Sequence, residues 1–178
     1  MRMSTPRISA LEPDQWDEDA RSIMQPFVDS GRDFNIFRTL VNHPQLTQKW
    51  LDFAFHVLMS STLPDRDREL LILRIGHLCN AQYEFRKHSD ISRNLGMSEQ
   101  DIESAKTGPD TEGISELDKL LLTATDELHE DAHISDPTWQ ALTQHYSTQQ
   151  MMDLVFTVGQ YNMVSMVLNS FGVQHDEK

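Results

Sequence analysis

The sequence predicts an all-α fold, a single-domain bundle of about eight helices, on three observations. Apolar residues recur at spacings of three and four, with almost no sustained alternation at two. The segments so marked open on Pro, Ser or acidic residues and close on Gly, which is how helices are punctuated. A chain of 178 residues is long enough to bury one hydrophobic core and short for two. Residues 1–178 are therefore read as one domain, with an irregular arm over 1–12 and a core motif over 64–106.

Taken in order, the first helix starts near Pro13 and stops at Gly31. Pro26 is expected to end or kink it, because the ring removes a donor and crowds the preceding turn. "FNIFRTLVNHP" gives a short second helix, and Pro44 opens a third. Pro64 and the acidic residues behind it open a fourth, with Leu71, Ile75 and Leu78 on its buried side. "NAQYEFRKHSDISRNLG", from Asn80, is a fifth that stops at Gly96. Ser98 and Asp101 have capping-box spacing, and the helix they begin ends before Gly108. "ISELDKLLLTATDELHEDAHI" sets Leu117, Leu121, Ala124 and Leu128 on one side, Pro137 enters a shorter helix, and Ser147 with Gln150 boxes the start of the last and most apolar one. The connections are short except "TGPDTEGIS", which is expected to be flexible.

Composition narrows the function classes. With 28 acidic against 15 basic residues the formal charge is −13, which argues against nucleic-acid partners and against an anionic membrane surface. No apolar run approaches the roughly 20 residues that span a bilayer, and the start lacks the apolar segment of a secretory signal. A soluble cytoplasmic protein is expected. Cys79 stands alone, so an intrachain disulfide, a CxxC pair and a thiolate zinc cluster are excluded. His43, His56, His129, His133, His145 and His175 show no ligand-like pairing with carboxylates, so no metal and no cofactor are expected.

One constellation carries chemistry. Ala81, Glu84 and His88 share a helical stripe, extended by Ile91 and Leu95, so a carboxylate and an imidazole lie among apolar residues. Burial there would raise the carboxyl pKa and hold the imidazole near its useful range, which suits both to proton transfer near neutral pH.

The surrounding residues, "DRDRELLILRIGHLCNAQYEFRKHSDISRNLGMSEQDI", resemble the core segment of the carboxymuconolactone decarboxylase and alkylhydroperoxidase D-like family. The resemblance extends to "NIFRTLVNHPQL" before it and "QQMMDLVFTVGQYNMVSMVLNSFGV" after it. In the redox branch this segment carries a Glu, a CxxC and, after three intervening residues, a His. Here the frame falls on Glu69, Ala81, Glu84 and His88, so the frame survives while both thiols are gone. The chain is similar to the cysteine-free "YEW...H" type, with Phe85 where Trp is usual. Without an attacking and a resolving thiol, peroxide reduction through a CxxC is not expected.

The decarboxylase branch resembles this chain in using a Glu followed four residues later by a His. That likeness implies proton transfer next to a carbonyl, with His88 as proton carrier, Glu84 orienting it or sharing the proton, and Glu69 as the third catalytic residue. Arg74, set in "LLILRIGHL", must pair or reach solvent. It is read either as an ion-pair partner of Glu69 or Glu84 or as a clamp on a substrate carboxylate. Tyr83 lies about 100° around the helix from Glu84 and packs at its edge or touches substrate. Gln160, with Asn162, Ser165 and Asn169, forms polar stripes on the last helix that hydrogen-bond between helices or subunits or line a pocket.

Cys79 is expected to be a small buried residue. Met151, Met152, Met163 and Met166 read as core or interface, and relatives in the family are commonly trimers or hexamers, so a homo-oligomer is expected. The expectation for function is a cofactor-independent lyase or isomerase acting on a small organic acid, lactone or related carbonyl compound. The alternative is an oligomeric small-molecule-binding protein without turnover.

Overall fold

The computed structural model describes residues 3–176, so the first two residues of the expected arm lie outside the described residues. These form nine α-helices and no strand: α1 Glu18–Asp29, α2 Asn35–Leu40, α3 Pro44–Phe55, α4 Asp65–Leu78, α5 Gln82–Asn94, α6 Glu99–Thr107, α7 Glu116–Asp131, α8 Asp136–Leu142 and α9 Thr148–Phe171. A 3₁₀ turn at Pro13–Gln15 precedes α1, and a π turn at His56–Ser60 extends α3. The expected all-α class holds, and none of the described helices is long and apolar enough to cross a membrane.

Local signals set most boundaries. Ser98 and Asp101 form a reciprocal capping box, as do Ser147 and Gln150. Gly96 and Gly172 follow the ends of α5 and α9 with left-handed φ of 85° and 69°. Pro26 does not end α1, which runs on through it to Asp29. The only amide bond its ring removes is one to the exposed Ser22 carbonyl, which water can satisfy, while Met24 and Phe27 on either side are buried and hold the helix by packing.

The organising element is α4. Asp67 through Gly76 are all buried, so the single buried side expected from Leu71 and Ile75 becomes burial on every side, and Leu78 at the end is half-buried. A helix enclosed by α5, α6, α7 and α9 has no solvent face on which to put its charges. Each charged side chain therefore finds a partner: Asp67 accepts from the Tyr146 hydroxyl at 2.7 Å, and Arg74 meets Asp126 on α7.

Smaller cores flank this one, with Trp16, Met24, Phe27 and Leu51 joining α1 to α3, and Tyr83, Val164 and Leu168 joining α5 to α9. Asn80, at φ 51°, makes the turn between α4 and α5, and the Ala81 amide bonds the Gly76 carbonyl at 2.8 Å. That tight turn lays α5 directly on α4.

Candidate active site

The turn at Asn80 and the absence of a side chain at Gly76, where an added Cβ would lie 3.6 Å from Glu84 Cγ, bring the first turns of α5 against the middle of α4. Glu84 and His88, one helical turn apart, consequently face Glu69. His88 Nδ1 lies 2.6 Å from Glu69 Oε2, and His88 Nε2 lies 2.9 Å from Glu84 Oε1, so both ring nitrogens are held by carboxylates. Glu69 is 0% exposed, Glu84 4% and His88 6%. The three residues that the frame picked out converge on one site.

Two further side chains complete it. Arg68 places Nη2 3.6 Å from Glu69 Oε1 while its Nη1 bonds Asp65 at 2.7 Å. Tyr161 on α9 sets its ring edge to face with His88, centroids 4.9 Å apart. The site thus holds two cations, Arg68 and His88, against two carboxylates, Glu69 and Glu84. Such a balanced set tolerates burial far better than any one of its charges would alone.

Burial pulls the His88 pKa down, but the charges of Glu69 and Glu84 and their bonds to the ring more than offset it and push it up to about 10. The imidazole expected near its neutral-range value is therefore an imidazolium at neutral pH. The correction has a plain cause: the stripe on α5 shows one carboxylate near His88, and the fold supplies a second from α4. Burial, with the neighbouring charges of Glu84 and Glu69, also raises the Tyr161 phenol well above its ordinary value, so it stays protonated.

Arg74 is elsewhere. Five residues beyond Glu69, it lies about 140° around α4 and faces α6 and α7. Its Nε and Nη2 form a fork on Asp126 at 2.6 and 2.8 Å, and Nη1 donates to the carbonyls of Ala105 and Lys106. The expected pairing with Glu69 or Glu84 is replaced by this one, which leaves the guanidinium committed to structure. Tyr83 also turns away from the cluster. Its hydroxyl donates to Asp176 at 2.9 Å and its ring stacks on His175, so it fastens the segment that follows α9.

Gln160 is buried, and its Oε1 has no hydrogen-bond partner among the described residues; the same is true of Thr157 Oγ1 and Ser165 Oγ on α9 and of Glu69 Oε1. By contrast Asn169 bonds the Cys79 carbonyl at 2.9 Å, and Asn162 accepts from Cys79 Sγ at 3.0 Å, so part of the α9 polar stripe joins helices. Cys79 is half-buried, and this polar contact replaces the purely apolar setting expected for it. The stripe on α5 closes sooner than its pattern suggests, since Leu95 is exposed. Arg68 and Tyr161 were not singled out by sequence. The signal for Arg68 was a basic side chain directly beside Glu69 in "DRDRELL", which reads equally well as a charged helix start.

Among the described residues no group of three His, Cys, Asp or Glu side chains is arranged to hold a metal ion. Chemically, an imidazole held between two carboxylates is a set of groups able to hold and pass on a proton.

Comparison with known proteins bears on the matched segment and the fold. Residues 44–108 match the model of the carboxymuconolactone decarboxylase family. No curated protein sequence matches the chain significantly. Among solved structures, an alkylhydroperoxidase AhpD core protein from Ralstonia eutropha JMP134, an uncharacterized peroxidase-related protein, superposes with a TM-score of 0.84 at 15% identity, covering 98% of this chain and 94% of that one. A peroxidase-related protein from Silicibacter sp. TM1040 gives 0.81 at 13% identity, with 98% and 95% covered. The debrominase Bmp8, as a cysteine-to-alanine variant in complex with 2,3,4-tribromopyrrole, gives 0.76 at 13% identity, with 97% and 93% covered. Residues 44–108 are thus similar to the carboxymuconolactone decarboxylase family, and the superpositions show that the chain has the AhpD-like helical fold.

Proposed function

We propose that the chain is an acid/base enzyme that needs no cofactor and acts on a small organic acid, lactone or related carbonyl compound, by decarboxylation or isomerisation. The observation that carries this reading is His88 held between Glu69 and Glu84 in a nearly closed site. Glu69 is fully enclosed, so Glu84 and His88 form the end that substrate meets.

In a decarboxylation the bond to the leaving carboxylate breaks and its electron pair passes into the adjacent carbonyl, giving an enolate as carbon dioxide departs. The proton stored on His88, handed on through Glu84, then returns to carbon, and solvent recharges the imidazole. In an isomerisation the same pair takes a proton from one carbon and delivers it to another. Both need a proton carrier kept out of bulk water with its charge compensated, and Arg68 supplies part of that compensation at Glu69. The relatives of this fold include peroxidase-related proteins and a debrominase, so the fold alone does not select the reaction.

A thermal-shift screen of small carboxylated lactones and keto acids, followed by product analysis of each hit, tests the reading. Turnover that survives Cys79→Ser and is lost in His88→Ala is the expected result. Peroxide reduction with a dithiol donor that disappears in Cys79→Ser would replace it, and tight binding without turnover would favour the binding-protein alternative.

A further inference from the structure

Thr157, Tyr161 and Ser165 follow one another on α9 at four-residue spacing, so their side chains share one stripe about 12 Å long. All three are buried. The hydroxyls of Thr157 and Ser165 have no hydrogen-bond partner among the described residues. Nor has the Tyr161 hydroxyl, although its ring rests against His88 with centroids 4.9 Å apart. The facing helices repeat the pattern: Ser92 Oγ, one turn beyond His88 on α5, and Glu69 Oε1 on α4 are buried without a hydrogen bond as well. Folded chains satisfy nearly all their buried polar atoms, so a concentration of unspent ones around a proton-carrying pair marks the place of a polar ligand.

The charges at the site are already answered. Both ring nitrogens of His88 are held by Glu69 and Glu84, Arg68 lies between Asp65 and Glu69, and Arg74 is forked on Asp126. Arg68 keeps Nε unbonded, but its charge is spent on those two carboxylates. A substrate carboxylate would add a third negative charge beside Glu69 and Glu84 with no uncommitted cation to receive it. The groups left over are neutral hydroxyls, which suit a neutral oxygen.

We propose that the site takes an uncharged unsaturated ketone or lactone, that the carbonyl oxygen accepts a hydrogen bond from Tyr161, and that the reaction is a double-bond isomerisation. This rests on the acid/base reading of Glu84 and His88 and selects among its reactions. In a β,γ-unsaturated substrate the Glu84–His88 pair takes a proton from the α carbon. The C–H electron pair forms a double bond to the carbonyl carbon, and the carbonyl π pair moves onto oxygen, where the Tyr161 O–H donates. Return of the proton to the γ carbon shifts the remaining double bond to the α,β position and restores the carbonyl, so no co-reactant is consumed. Burial and the neighbouring carboxylates keep the phenol protonated, which makes it a donor and not a base.

The test compares α-angelica lactone and 3-cyclohexen-1-one, both uncharged and β,γ-unsaturated, with the same lactone carrying a carboxymethyl group in place of its methyl. NMR in D₂O follows isomerisation and deuterium uptake above the rate without enzyme. The expected results are a higher kcat/KM for the uncharged compounds and a fall in kcat of about 10²- to 10³-fold in Tyr161→Phe, with KM little changed and the circular dichroism spectrum retained. Should Tyr161→Phe not fold, the charge preference of the wild-type protein decides. A preference for the carboxylated lactone, or a folded Tyr161→Phe working at the wild-type rate, would overturn the inference and leave the acid/base reading standing. No deuterium uptake into any of the three compounds would overturn the inference too, and the acid/base reading would then be decided by the wider screen of lactones and keto acids.

Discussion

His88 on α5 and Glu69 on α4 meet at 2.6 Å although neither side chain is open to solvent, and the second ring nitrogen of His88 is held by Glu84 at 2.9 Å. An imidazole between two carboxylates is pinned in orientation and in charge, and substitutions at the cluster separate these two effects.

Glu69 should matter for stability more than its neighbours on the surface. Removing it leaves His88 held by Glu84 alone and Arg68 by Asp65 alone, so the buried cluster loses the carboxylate that both cations share. Glu69→Ala is expected to cost about 3–5 kcal/mol, the range for breaking a buried pair, against about 0.5 kcal/mol or less for an exposed residue such as Glu116. Urea denaturation of the two variants checks this.

Stability should fall in alkaline solution. The folded pKa of His88 is raised above its unfolded value, so its contribution is fully present below about 6.5 and is lost as pH rises through about 10. The midpoint of thermal unfolding should decline over that window, and the decline should be smaller in His88→Gln. Equal declines in both proteins would assign the effect to other groups.

Gly108 carries a separate structural prediction. Its φ is +99°, and an added Cβ would lie 2.8 Å from Arg74 Nη2, against the guanidinium that joins α4 to α6 and α7. Gly108→Ala should destabilise by roughly 2–3 kcal/mol, from backbone strain together with displacement of that fork. Rates with any substrate should be unaltered, because Arg74 stands apart from the cluster.

Cys79→Ser should leave activity intact, since the serine hydroxyl can still donate to Asn162 and no step of the proposed chemistry uses sulfur. His88→Ala should lower turnover by roughly 10²- to 10⁴-fold with the fold retained, and Glu84→Gln should move the pH optimum along with the rate. Steady-state kinetics across pH distinguishes these variants.

The helices were legible because their signals are local. Ser98 with Asp101, Ser147 with Gln150, and Pro44 and Pro137 mark starts within a few residues of each other in sequence. The candidate site was legible in part because Glu84 and His88 are one turn apart, and Glu69 came with the family resemblance. What could not be read was pairing over long separations. Arg74 finds Asp126 fifty-two residues away and Tyr83 finds Asp176 ninety-three away, and neither spacing leaves a mark in a single sequence. The same holds for α4, whose leucines suit a one-sided helix as well as an enclosed one. The protonation of His88 was misread for this reason too, since it depends on a carboxylate from another helix.

Whether His88 carries a proton at neutral pH between Glu69 and Glu84 is measured directly by NMR titration of its imidazole nitrogens. With the ring labelled with ¹⁵N, and His88→Gln used to assign its signals, both nitrogens should show the shifts of an imidazolium through pH 8. Their change should be centred near 10. A ring already neutral at pH 7, titrating near the ordinary 6.5, would overturn the charged-imidazole site.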